Sequence, residues 1–191
     1  VAIPALTIVA EPEPKLEFDA VYDELFPFVW RTARRLGVPE SALDDVCQET
    51  FVTVHRKLPE FEARSTLKTW VFGILRNVIL VHHRTLTRKS PAHRSKSPTV
   101  DPETILADGQ NPEDEVATAQ TARLARELLD ELDEEKRAVL ILVELEEMPV
   151  PEVAEAMGVN LNTTYTRLRS ARKEFAAALK RHRAKERWRM T

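Results

Sequence analysis

The sequence predicts an all-α fold: two small helical domains joined by a flexible linker. Three observations carry this. Gly is scarce, at 4 of 191 residues, while the good helix formers Ala, Leu, Glu and Arg dominate. Apolar residues recur at helical spacing through most of the chain. Most of the 12 prolines gather around residues 4–14 and 91–112, outside the periodic segments.

Composition narrows the class. At 43% hydrophobic and 31% charged, the chain is expected to fold rather than stay disordered. The single cysteine, Cys47, excludes an intrachain disulfide and gives no support to a Cys-based zinc site. A reducing, cytoplasmic setting fits. Residues 1–15 lack a basic leader region, are interrupted by Pro4 and are too short to span a bilayer; they read as a flexible tail.

A net charge of −3 would not suggest nucleic acid, but its distribution does. Residues 63–100 contain no Asp or Glu, while Arg64, Lys68, Arg76, Arg84, Arg88, Lys89, Arg94 and Lys96 are basic. Residues 101–155 are acidic in balance. From Leu161 onward only Glu174 and Glu186 oppose the basic residues. A basic–acidic–basic chain matches two separated DNA contacts.

The elements follow in order. Residues 18–36 have helical spacing, with Pro27 as a possible kink or division. Gly37 ends that helix, and Ser41 with Asp44 resembles a capping box opening the next. The second helix runs to about Leu58, before Pro59. A loop over 60–65 leads to a third helix over 66–84, extending toward Arg88. Residues 90–112 form the linker, with four helices expected on either side of it. After it come helices over 112–130, 132–147, 150–157 and 160–180, then a basic tail over 181–191.

On a helical wheel, Leu43, Val46, Cys47, Thr50, Val54 and Leu58 share one face of the second helix. Asp45, Gln48, Glu49, Val52 and Arg56 form the opposite stripe. That stripe is either a solvated face or a protein-docking surface, and Val52 among polar residues favours docking. Cys47 on the apolar face is expected to be a core thiol. On the third helix, Val71, Ile74, Leu75, Val78 and His82 face one way. Gly73, Arg76, Asn77, Leu80, His83 and Arg84 face the other, either as an ordinary basic surface or as a nucleic-acid face. Gly73 would admit a DNA backbone closely, Asn77 can read a base edge, and Arg76 can pair with phosphate. Trp70 is placed for packing more than for stacking on a base. The His82–His83 pair is no metal signature, since adjacent helical residues point about 100° apart. No metal and no cofactor are expected.

Residues 150–175 have the form of a helix-turn-helix. Val153, Ala154 and Met157 are apolar, Gly158 permits the tight turn, and Asn160 can cap the next helix. There Leu161, Thr164, Leu168, Ala171 and Phe175 line one face. Tyr165, Thr166 and Arg169 are base-edge candidates, and Arg167, Arg172 and Lys173 suit phosphates. A plain helical hairpin with a basic face is the alternative.

Asp45-x-x-Gln48-Glu49-x-Phe51, followed by Trp70 and then Arg76-Asn77, resembles conserved region 2 of bacterial RNA polymerase sigma factors. The downstream motif is similar to region 4. The compact form resembles the extracytoplasmic-function (ECF, group IV) class of the sigma-70 family, over roughly 18–88 and 128–179. The resemblance implies a non-enzymatic factor that binds core RNA polymerase, through the β′ clamp helices and the β subunit, and directs promoter-specific initiation. By position, Asp45, Gln48, Glu49, Phe51 and Val52 would bind polymerase. Lys68, Trp70, Arg76, Asn77, His83 and Arg84 would capture melted −10 DNA, with the 60–65 loop holding a flipped base. Each base stack there is worth about 1–3 kcal/mol. Thr163, Tyr165, Thr166, Arg167, Arg169, Arg172 and Lys173 would read the −35 duplex. Linker carboxylates Asp101, Glu103 and Asp108 could mimic nucleic acid, and an anti-sigma factor could mask the DNA surfaces.

Two departures from the family pattern stand out. Val81 occupies a place where the family often has Asp. Tyr165 and Ser170 differ on the groove-facing side, which puts a standard −35 sequence in doubt. The alternative reading is a dimeric helix-turn-helix regulator without polymerase, which leaves 45–84 unexplained. An enzyme built on His82 and His83 is disfavoured by the acid-free stretch around them.

Overall fold

The computed structural model describes residues 16–89 and 112–189. Among them are seven α-helices and no strand: α1 (Phe18–Arg35), α2 (Glu40–Lys57), α3 (Leu67–Lys89), α4 (Pro112–Asp130), α5 (Glu134–Glu144), α6 (Val150–Met157) and α7 (Leu161–Arg189). A 3-10 turn, Leu58–Glu60, follows α2. The first half therefore has three α-helices rather than four. The N-terminal tail and the linker expected at 90–111, including Asp101, Glu103 and Asp108, lie outside the described residues.

Pro27 does not divide α1 into two elements. It sits on the exposed face, so the carbonyl left without an intrahelical partner faces water. Gly37 ends the helix at φ +90°, and a Cβ there would lie 2.9 Å from an Arg137 nitrogen. Both constraints favour glycine. The capping box expected at Ser41 and Asp44 does not form. α2 starts at Glu40 after Pro39, without a side-chain cap, and Ala42 N–H donates to the Pro39 carbonyl.

α5 is shorter than expected. Asp133 caps it, accepting from Lys136 N–H at 2.9 Å, and Glu147 turns left-handed at φ +54° soon after its end. Arg137 reaches back to accept-only groups, donating to the carbonyls of Leu129, Asp130 and Leu132, and so closes the end of α4. Gly158 takes the expected left-handed turn at φ +66°. Asn160 Oδ1 accepts from Thr163 N–H at 2.8 Å and opens α7. α7 continues to Arg189, so residues 181–189 extend the helix where a separate tail was expected.

The two halves share one hydrophobic core. It runs from Val29, Leu43, Val54, Phe72 and Leu75 in the first half to Val139, Ile141, Leu142 and Val153 in the second. Full burial of each such side chain contributes about 1.5–3 kcal/mol. The seam is formed mainly where α3 meets α6, with α5 beside it.

Candidate polymerase and nucleic-acid interfaces

The wheel of α2 divides as its sequence dictates. Leu43, Val46, Cys47, Thr50, Val54 and Leu58 are buried, while Asp45, Gln48, Glu49, Val52 and Arg56 are exposed. Burial, with Asp44 adding to it, pushes the Cys47 thiol up to about 11. That suits an inert core thiol. Val52 is 60% exposed, an apolar side chain held in water amid polar neighbours. Phe51 differs from the expectation. It is buried, in ring contact with Phe18, Tyr22 and Phe26. It therefore supports the stripe from beneath and forms part of the floor of the groove beside it. A groove of about 500 Å³, lined in part by Phe18, Tyr22, Gln48 and Val52, runs beside the stripe. Its aromatic wall comes from α1 and was not read from the sequence.

On α3, Val71, Ile74, Leu75 and Val78 are buried as expected, and Phe72 and Ile79 join them. Asn77 and Arg84 are exposed. Trp70 is half-buried and packs on Phe61, with ring centroids 5.0 Å apart. That is the packing role its position suggested. Gly73 faces the second half: a Cβ there would stand 3.9 Å from the Ala156 carbonyl, an ordinary contact. The neighbour at Gly73 is α6, and the fit does not require glycine. Arg76 and Leu80 border a small cavity of about 80 Å³ with Glu134 and Glu135. His83 is half-buried. Burial lowers its pKa, Glu134 opposes that, and His82 and Arg137 add to the lowering.

In the helix-turn-helix, Val153, Ala154, Met157, Thr164, Leu168 and Ala171 are buried, with Phe175 packed against them. Leu161 is a correction. It is 41% exposed at the first turn of α7 and lies off the buried stripe. Tyr165, Thr166, Arg169 and Lys173 are exposed on the outer face. Asn160, Asn162, Thr163, Thr166 and Arg167 rim a shallow recess of about 610 Å³ at the helix start. Arg167 is ion-paired with Glu135, and Arg172 with Glu144 at 2.5 Å. Ser170 donates to Glu174 at 2.9 Å, and Lys136 pairs with Glu174 at 2.9 Å.

Sequence reading missed the seam. Arg31 and Arg35, four residues apart on one face of α1, reach the Glu146 carboxylate at 3.3 and 2.5 Å. Lys68 Nζ donates to the Glu146 carbonyl at 2.8 Å and sits 4.8 Å from the Phe28 ring centroid. The Glu146 side chain is 2% exposed. Beside it, the Thr66 and Thr69 hydroxyls donate to Glu152 at 2.8 and 2.7 Å. The Arg-x-x-x-Arg spacing was the available signal, but its partner lies more than a hundred residues away in sequence.

An open polar stripe carrying an exposed valine, a basic helix beside it and a capped helix-turn-helix make up the surface of the chain that a partner could use. Residues 21–89 match the model of Sigma-70 region 2, and residues 122–175 match Sigma-70, region 4. The RNA polymerase sigma factor NccH of Alcaligenes xylosoxydans xylosoxydans is 28% identical over 156 residues, covering 78% of this chain and 79% of its own. The ECF RNA polymerase sigma factor SigW of Bacillus subtilis is 23% identical over 168 residues, covering 85% and 86%. The solved structure of the sigma factor RpoE from Bartonella quintana, in complex with the anti-sigma factor NepR, shares the fold. Its TM-score is 0.70 at 21% identity, over 85% of this chain and 96% of that one. The chain belongs to the sigma-70 family of RNA polymerase sigma factors, in its ECF class. Such factors bind core RNA polymerase and promoter DNA in transcription initiation. Among the described residues, no helix is long and apolar enough to cross a membrane.

Proposed function

We propose that residues 16–89 act as region 2 and residues 113–180 as region 4 of a non-catalytic, cytoplasmic initiation factor. Asp45, Gln48, Glu49 and Val52 engage the β′ clamp helices of core polymerase. The observation that carries this is the α2 stripe itself: four residues exposed together, opposite a fully buried face. A solvated stripe needs no valine, whereas a docking patch gains from one.

Lys68, Arg76, Asn77, His83 and Arg84 then hold the melted −10 strand. Asn77 reads a base edge, and the cations track phosphates. Trp70 acts by packing Phe61 and so shaping the 60–65 loop. On the −35 duplex, Tyr165, Thr166 and Arg169 face base edges. Thr163, Arg167, Arg172 and Lys173 position the helix on the backbone. For Arg167 and Arg172 this requires exchanging Glu135 and Glu144 for phosphate. RpoE was solved with an anti-sigma factor, which supports an anti-sigma partner for this chain also.

The test is size exclusion with core RNA polymerase lacking any sigma. Co-elution that is lost with Gln48→Ala plus Glu49→Ala supports the reading. Co-elution unaffected by that pair removes the docking assignment.

A further inference from the structure

We propose that Arg31, Arg35 and Lys68 form an anion site that takes a backbone phosphate of the melted promoter strand, and that Glu146 is its internal occupant in the closed chain. This rests on the sigma reading and adds two residues of α1 to the promoter surface.

The charge balance points beyond a simple ion pair. Three cations converge on one carboxylate, Arg31 and Arg35 on its oxygens and Lys68 on the same residue's carbonyl, with Nζ 4.0 Å from Oε2. The site keeps an excess of positive charge after Glu146 is seated. Exposure is also lopsided. The Glu146 side chain is 2% exposed, but those of Arg31, Arg35 and Lys68 remain 41, 32 and 35% exposed. The cations thus stay open to water from one side while the carboxylate plugs the other. Arg guanidinium forks donate to carboxylate and phosphate oxygens in the same geometry, so one ligand can replace the other.

A second carboxylate repeats the arrangement next door. Thr66 Oγ1 accepts from Thr69 N–H at 3.2 Å, which caps the start of α3. Both threonine hydroxyls donate to Glu152, placing a negative group at a helix N-terminus. Glu146 and Glu152 come from the same α5–α6 segment, so one continuous stretch of the second half fills both positions. Its turn is held by Glu146 N–H donating to Ile141 O at 3.0 Å and Met148 N–H to Leu142 O at 2.9 Å. Lys68 lies in the acid-free stretch 63–100 that also carries Arg76, Asn77 and Arg84. A strand lying along α3 would therefore meet this site at the helix start.

The experiment uses the full chain and a fluorescently labelled single-stranded oligodeoxynucleotide, with anisotropy read across a salt series. Glu146→Gln keeps the shape of the side chain and removes its charge. It should tighten binding to the free chain about tenfold and steepen the salt slope by about 0.7 per newly neutralised phosphate. X-ray scattering should show an expanded molecule. Glu147→Gln, an exposed neighbour with the same charge change, should do neither. Arg35→Gln is read in holoenzyme on promoter DNA, the state in which the proposal has the phosphate in place of Glu146. The anion site predicts weaker binding there and a slope shallower by about 0.7. A latch with no role toward DNA predicts an unchanged slope, and that result overturns the proposal. So does a Glu146→Gln variant that binds the oligonucleotide no better than Glu147→Gln. Failure of the wild type to co-elute with polymerase would sink the sigma reading alone. The Glu146→Gln contrast on free oligonucleotide would still support the site.

Discussion

α2 and α3 are neighbours in one core, yet they present their polar faces differently. The stripe on α2 stands open to solvent along its length. On α3, Asn77 and Arg84 are exposed, but Lys68 is tied to Glu146, Gly73 faces α6, and His83 is half-buried near Glu134. The face proposed for polymerase docking is open in the closed chain, whereas the face proposed for DNA is partly covered by the other half. On that proposal polymerase engages first, and the promoter surface becomes complete only if the halves part.

The contrast can be broken most sharply at the open face. Gln48→Ala plus Glu49→Ala should abolish polymerase co-elution while changing stability by less than about 0.5 kcal/mol, because both side chains lie in water. A large loss of stability in denaturant would show the stripe to be structural. Next in size is Phe72→Ala, which empties a fully buried site on α3. It should cost about 3–5 kcal/mol. Because the core is continuous, both halves should melt in one transition. Two separate transitions would deny the shared core.

Smaller effects sharpen the picture in the second half. Arg172→Gln should flatten the salt dependence of −35 duplex binding by about 0.9 if Arg172 trades Glu144 for one phosphate. Asn160→Ala removes the cap of α7 and should cost about 1 kcal/mol in a thermal or denaturant melt. The smallest effect is a pH dependence. His83 is held below its ordinary value of 6.5 by burial, against the pull of Glu134 and with help from His82 and Arg137. The folded state therefore binds fewer protons than the unfolded one. Stability from neutral His83 is intact above pH 6.5 and declines as the pH falls below it. A melting series should show that decline, and His83→Gln should flatten it.

Local physics made most of the fold legible. Helical periodicity places α1, α2, α3 and α6, and the Gly158 turn and the Asn160 cap follow from the backbone freedom of glycine and the side-chain acceptor of asparagine. The stripe on α2 separated cleanly from its buried face, because burial there is set by one helix packing on two neighbours. Misses arose where distant residues decide. Phe51 sits at the edge of the stripe by angle, but Phe18, Tyr22 and Phe26 of α1 bury it. Leu161 has the right spacing for the core yet opens α7, before the helix meets its neighbours. The Ser41–Asp44 cap failed because Pro39 starts the helix without it. Glu146 looked like one more acid in an acidic stretch, and only the tertiary fold reveals the arginines facing it.

Hydrogen exchange on the full chain, free and bound to core polymerase, tests the central claim most directly. The account predicts that amides of residues 45–56 gain protection on binding, while residues 66–69 and 146–152 lose it as the seam opens. Unchanged exchange over 45–56 in a formed complex would contradict it.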